Sequence, residues 1–271
     1  MSAPLLSVSG LRRRFGGVPA IDDLSFTLDE GTFCGIIGPN GAGKTTLMNL
    51  LSGYLRPDAG AIVFAGESMV GLRPYHACRR GIARTFQIVR PFAEMTVLEN
   101  VIAGALFSRR GGGNERQARG FCLEILDLVG LTPRRDRLAG TLTLGEKKRL
   151  EMARSLASRP RLLLLDEVLG GLSDGEITQL LGVLRQVHAA GTTILMIEHV
   201  VRALVQLVDR LIVLNFGRLL RDGPPREVLA DPVVIGSYLG RPLEGRAVTP
   251  RTGAPAEAFD PGRSMSEAGP G

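Results

Sequence analysis

The chain has 271 residues, of which 44% are hydrophobic, enough for one large α/β domain or two small ones with a sizeable buried core. Its formal net charge is +6, but the basic clusters at Arg12–Arg14, Arg109–Arg110 and Arg134–Arg135 carry no interleaved aromatic residues, which argues against a single-strand nucleic-acid surface. Cys34, Cys78 and Cys122 are too far apart for a metal-type pairing, and neither a signal peptide nor an apolar run of ~20 residues is evident, so the sequence predicts a soluble chain from a reducing compartment.

Residues 5–9 and 24–28 read as short strands. Thr32–Ile37 reads as a buried strand feeding into a Gly-rich loop, Gly38-Pro39-Asn40-Gly41-Ala42-Gly43-Lys44-Thr45-Thr46. Beyond it, Leu47, Leu50 and Leu51 recur at helical spacing, and Gly53 is a stop signal. A strand is expected at 61–65 after the turn cluster Pro57-Asp58-Ala59-Gly60, then a short helix around 74–80 and a strand over 82–87. From about 88 to 158 helical patterns dominate, at 97–106, 116–129 and 146–157, with Gly111–Gly113 as a surface loop between the first two. Strand character returns at 162–165, 192–197 and 211–214, with a helix between each pair. This alternation predicts an α/β core with a mostly parallel sheet, interrupted by a helical insert. Residues 241–271 are about one third Gly plus Pro, lack a hydrophobic period and read as a disordered tail after a domain at 5–240. No internal repeat is evident.

The loop at 38–46 satisfies G-x-x-x-x-G-K-[ST] with a strand before it and a helix after it, the context that this phosphate-binding motif requires. Its glycines let backbone N–H groups wrap the phosphates, Lys44 supplies a cation to the β- and γ-phosphates, and Thr45 offers a hydroxyl to Mg²⁺. The helix that starts here adds the positive end of its dipole. Leu162–Leu165 then lead into Asp166 and Glu167, two carboxylates at the C-terminal end of a wholly apolar strand, where ligands bind in such sheets. Asp166 is suited to hold Mg²⁺ through water and Glu167 to polarise an attacking water. Thr143 and Glu146 form a capping-box pattern ahead of a helical run, which places a hydroxyl and free N–H groups at an anion-binding helix start.

On these residues the chain resembles the nucleotide-binding subunits of ABC transporters, over roughly residues 5–240. The segment Thr143-Leu144-Gly145-Glu146-Lys147-Lys148-Arg149-Leu150 looks like that family's signature, placed shortly before the strand ending at Asp166. The resemblance implies a P-loop NTPase core with an N-terminal antiparallel β part, and it assigns further roles residue by residue. Gln87 would couple the nucleotide site to a transmembrane partner and join Thr45 and Asp166 at the Mg²⁺, while His199 would touch the γ-phosphate. Phe15 would stack on adenine. Thr143, Gly145 and Glu146 would serve the ATP held by the opposite subunit, so that two copies, or this chain and a paralogue, sandwich two nucleotides head to tail.

The chain departs from the family pattern in three places: the signature has Thr143 where Ser is commoner and Leu144 where Gly or Tyr is usual, Val168 stands where many members have Pro, and Ser173 where an Asp commonly stands. The segments Arg84-Thr85-Phe86-Gln87, Met95–Asn100 and Asp231–Gly240 look most like the branched-chain amino acid importer subgroup, which also handles amides and urea. That likeness implies an ATPase peripheral to the cytoplasmic face of the inner membrane. Its implied partners are permease subunits, a second ATP-binding subunit and an extracytoplasmic solute-binding protein, with no direct nucleic-acid contact. A lipopolysaccharide-type export ATPase and a soluble mechanochemical ATPase acting on nucleic acid or ribosomes are the alternatives that the sequence leaves open.

Overall fold

A computed structural model describes residues 3–86, 90–106 and 115–239. The N-terminal strands are longer than their hydrophobic patterns suggest. β1 (Leu6–Phe15) and β2 (Val18–Leu28) form an antiparallel hairpin whose register shifts between Val8 and Arg14. Those irregularities broke the period-2 alternation that would have marked the middle of each strand. β3 (Phe33–Ile37) is buried along its whole length and leads into the loop before α1 (Lys44–Leu51). Then follow β4 (Ala59–Phe64), β5 (Glu67–Ser68), α2 (Pro74–Arg80) and β6 (Ile82–Arg84). Three helices come next, α3 (Val97–Leu106), α4 (Glu115–Leu128) and α5 (Leu144–Ala157). The chain returns to the core with β7 (Leu162–Asp166), α6 (Asp174–Ala189), β8 (Thr193–Ile197), α7 (Val201–Leu204) and β9 (Arg210–Asn215). It closes with β10 (Arg218–Gly223), α8 (Pro225–Ala230) and α9 (Pro232–Leu239). The tail expected at 241–271 lies outside the described residues.

Two sheets result. One is antiparallel, in the order β2-β1-β4-β5; the other runs β10-β9-β3-β8-β7-β6 and is parallel except for its edge strand β10. The parallel strands are apolar on both faces, as a sheet covered on both sides requires. Leu163 and Leu165 of β7 join Ile194, Met196, Val213 and the helices α3 to α7 in one core. Leu162 and Leu164 join Ile36, Leu195, Ile212, α1 and the antiparallel sheet in the other. All four leucines are fully buried, and each contributes roughly 1.5–3 kcal/mol of burial. The sheet thus directs the C-terminal ends of β3, β7 and β8 to one edge, and that edge carries the site. No helix among the described residues is long and apolar enough to cross a membrane.

Candidate active site

The phosphate loop is wedged between neighbouring backbones. Gly43, the residue that starts α1, has φ 98°, and a Cβ there would lie 2.3 Å from the carbonyl oxygen of Ala20. A Cβ on Gly38 would lie 2.2 Å from the oxygen of Leu214, so both positions exclude any side chain. Lys44 is buried, and its ammonium donates to the carbonyls of Gly38 (2.7 Å) and Pro39 (3.0 Å), reaching back over the loop. Burial lowers its pKa, opposed by the nearby negative charges of Glu167 and Asp166. Asn40–Thr46, together with Ala20, Glu167 and His199, line a cavity of about 300 Å³.

Glu167 and His199 meet across the ends of β7 and β8, with Nε2 of His199 2.9 Å from Oε1 of Glu167. Glu167 adopts φ 51°, a left-handed conformation that costs a non-glycine residue roughly 1–2 kcal/mol. The surroundings hold it there. Its N–H donates to the Ile197 carbonyl (3.0 Å), and the ammonium of Lys148 on α5 gathers the carbonyls of Glu167, Val168 and Gly170. Buried Glu198 accepts from the backbone N–H of Leu169 (2.8 Å) and of His199, tying the turn after β7 to the turn after β8. Burial raises the Glu198 carboxyl above its usual range.

Asp166 ends β7 almost fully buried and forms an ion pair with Arg84 of β6 at 2.9 Å. Burial pushes its pKa up, and the Arg84 hydrogen bond and charge pull it back down. The Thr45 hydroxyl and the Asp166 carboxylate are hard oxygen donors suited to Mg²⁺, which keeps several waters and takes few protein ligands. No cluster of three or more His, Cys, Asp or Glu side chains that could hold a metal ion occurs among the described residues. The third expected ligand, Gln87, lies outside the described residues.

Thr143, Gly145 and Glu146 do not line the cavity. They open α5, where Thr143 and Glu146 make the expected capping box in both directions. The Glu146 carboxyl is held below its usual range, first by the Thr143 N–H and then by Arg134. Ser173, one of the departures from the family pattern, caps α6 in the same way through Glu176. The two caps abut, since a Cβ on Gly145 would lie 2.0 Å from Oε1 of Glu176. Phe15 stands half exposed at the end of β1 with the Arg13 guanidinium 5.0 Å over its ring, outside the residues that line the cavity.

The family pattern described as "ABC transporter" matches residues 21–170. A high-affinity branched-chain amino acid transport ATP-binding protein, BraF of Pseudomonas aeruginosa, is 40% identical over 255 residues, covering 89% of this chain and 99% of that one. The chain belongs to the ABC transporter family. As an ATP-binding cassette of that family it is an ATPase, using ATP with Mg²⁺ as the companion ion. The LivG protein of Escherichia coli K12, of the same description, is 38% identical with the same coverage. Among solved structures, the ADP conformation of the ATP-binding cassette MJ1267 superposes with a TM-score of 0.79 at 30% identity, covering 89% of this chain and all of that one.

Sequence reasoning did not single out three side chains that organise this cassette. Lys148 and Glu151 lie on α5, where a charged residue reads as a solvated helix face, and Glu198 reads merely as the neighbour of His199. All three are buried. Their signal was a charged residue four positions before a buried one on a packed helix, as Lys148 before Met152 and Glu151 before Ser155, or directly after a wholly apolar strand.

Proposed function

We propose that this chain is the ATP-hydrolysing subunit of a transporter that takes up branched-chain amino acids or related small solutes through separate permease subunits. The observation that carries the hydrolytic part is the pairing of Glu167 with His199 beside the cavity bounded by Asn40–Thr46. Glu167 accepts the proton of the attacking water, and His199 orients Glu167 and contacts the γ-phosphate. Lys44 and the loop N–H groups bind the phosphates, Thr45 and Asp166 bind Mg²⁺ with Gln87, and Phe15 stacks on the base. Thr143, Gly145 and Glu146 sit apart from the cavity, which supports a role toward nucleotide on a second subunit: a helix start turns the positive end of its dipole toward a facing phosphate.

The cargo rests on the two relatives named for branched-chain amino acid transport, each matched over nearly its whole length. Those names favour uptake over lipopolysaccharide-type export or a soluble mechanochemical role. In this reading the subunit works on the cytoplasmic face of the membrane, and an extracytoplasmic binding protein delivers the solute. The test is co-purification with permease subunits from detergent-solubilised membranes, followed by ATP-dependent uptake of labelled leucine into vesicles. Recovery with RNA and without a membrane protein would overturn the transport reading.

A further inference from the structure

Arg84 opens the segment that leads to Gln87, and its guanidinium lies beside Asp166 with its side chain only 6% exposed. One arm, Nη2, donates to Oδ2 of Asp166 at 2.9 Å. The other, Nη1, donates to Oδ1 of Asn49 (2.7 Å) and Oγ of Ser52 (2.9 Å), both at the far end of α1. The ring of Phe86 lies 5.1 Å from the guanidinium on its own chain, and that of Tyr54 lies 5.9 Å away.

A buried ion pair is a poor source of net stability, because desolvating both charges offsets most of their attraction. Its placement here has a geometric result. Asn49 follows Thr45 by one helical turn, so the two side chains share a face of α1. By bonding Asn49 and Asp166 with the two arms of one rigid plane, Arg84 fixes the face of α1 that carries the Thr45 hydroxyl relative to the end of β7. Thr45, Arg84 and Asp166 accordingly border one cavity, of about 720 Å³. A lysine ammonium would supply the charge but not the fork that spans both elements.

We infer that Arg84 is a positioning residue for the metal: it sets the Asp166 carboxylate and the Thr45 hydroxyl at the mutual geometry that Mg²⁺ requires. This rests on the reading of the site as one for ATP with Mg²⁺. Partners that orient a metal ligand are worth about 10–100-fold in metal affinity.

The test is calorimetric binding of a non-hydrolysable ATP analogue to the purified full chain, titrated with Mg²⁺ and repeated in chelator. Arg84→Gln is expected to raise the Mg²⁺ concentration for half-maximal tightening about tenfold or more, with Mg²⁺-free affinity within about twofold of wild type. Arg84→Lys is expected to fall between the two. If Arg84→Gln does not fold, Asn49→Ala, which removes one anchor and leaves the ion pair, is expected to shift the Mg²⁺ midpoint a few-fold in the same direction. A folded Arg84→Gln with the wild-type midpoint, or with affinity lost equally with and without Mg²⁺, overturns the inference; so does a wild-type midpoint in Asn49→Ala. A wild-type chain whose analogue binding ignores Mg²⁺ would instead overturn the reading of the site on which the inference rests.

Discussion

Glu167 and His199 are 32 residues apart in sequence, and their side chains meet at 2.9 Å because β7 and β8 are hydrogen-bonded neighbours ending at the same edge. The pairing orients a carboxylate whose own backbone is held in a left-handed conformation by groups on β8 and α5. General-base catalysis contributes about 10²–10⁴-fold to a rate. Glu167→Gln is therefore expected to bind ATP as wild type does while its turnover falls by at least about 10²-fold. Phosphate release and nucleotide binding, measured on the same preparation, check this; turnover at the wild-type rate would remove Glu167 from its assigned role.

Lys44 serves both the loop and its ligand. Its ammonium already reaches two loop carbonyls, so it sits within the loop it is to serve. A charge-assisted hydrogen bond is worth about 1.5–3 kcal/mol, and the lysine offers phosphate more than one. Lys44→Ala is expected to weaken ATP binding by about 10²-fold or more and, because it removes the donor to the Gly38 and Pro39 carbonyls, to lower the melting temperature of the nucleotide-free chain by a few degrees. Retained affinity would show that the backbone cradle suffices alone.

Much of this was legible in the sequence, and what was not has a physical reason. The order of strand, loop and helix around 38–46 and the apolar strand before Asp166 are local patterns, and the structure reproduces them. The capping box at Thr143 was legible for the same reason, its partners being three residues apart. The bulged middle of the β1–β2 hairpin lacked a clean period, and the edge strand β10 has no buried residue and pairs two leucines with three charged residues, so neither announced itself. The bonds of Lys148 to carbonyls about twenty residues away, and of Arg84 to residues of α1 and β7, depend on the packing of distant segments. No spacing rule reports them.

Lys148 carries a prediction of its own. Its ammonium is the one side-chain group among the described residues seen to hold the carbonyls of Val168 and Gly170, in the turn where Val168 replaces the more usual proline. Without the fixed φ of proline, that turn relies on the lysine more heavily. Lys148→Met keeps the aliphatic stem but strands these carbonyls, and a cost of about 2–4 kcal/mol is expected. Urea unfolding with an unchanged m-value would measure it, and a loss below about 0.5 kcal/mol would mean that the turn holds itself.

The two capping boxes should be energetically linked. Each of Thr143→Ala and Ser173→Ala is expected to cost about 1 kcal/mol as an N-cap loss. Gly145 packs directly on Glu176, so a change at one helix start is felt at the other. A double-mutant cycle is expected to show a coupling of at least about 0.5 kcal/mol. Strict additivity would mean that the departure at Ser173 is a local cap with no bearing on the signature helix.

Glu151 on α5 gives the protein a pH dependence whose sign is fixed. Its carboxylate accepts the Phe86 N–H at 2.7 Å, next to Gln87. Burial pushes its pKa from 4.5 to about 7, against the opposing effects of the Phe86 N–H and of Arg154, Lys148 and Arg84. The folded state therefore holds a proton that the unfolded chain releases. Below about pH 4.5 both states are protonated and the group contributes no difference. Between there and pH 7 stability falls as pH rises, and above pH 7 the full cost, on the order of 3 kcal/mol, is present. Glu151→Gln keeps an oxygen for the Phe86 N–H and never ionises. Its melting temperature should approach that of wild type near pH 5 and exceed it by several degrees at pH 8, at about 2–4 °C per kcal/mol for a domain of this size. A difference that stays flat across that range, or a wild type more stable at pH 8, would show that the Glu151 charge is fully compensated by the arginines and lysine around it.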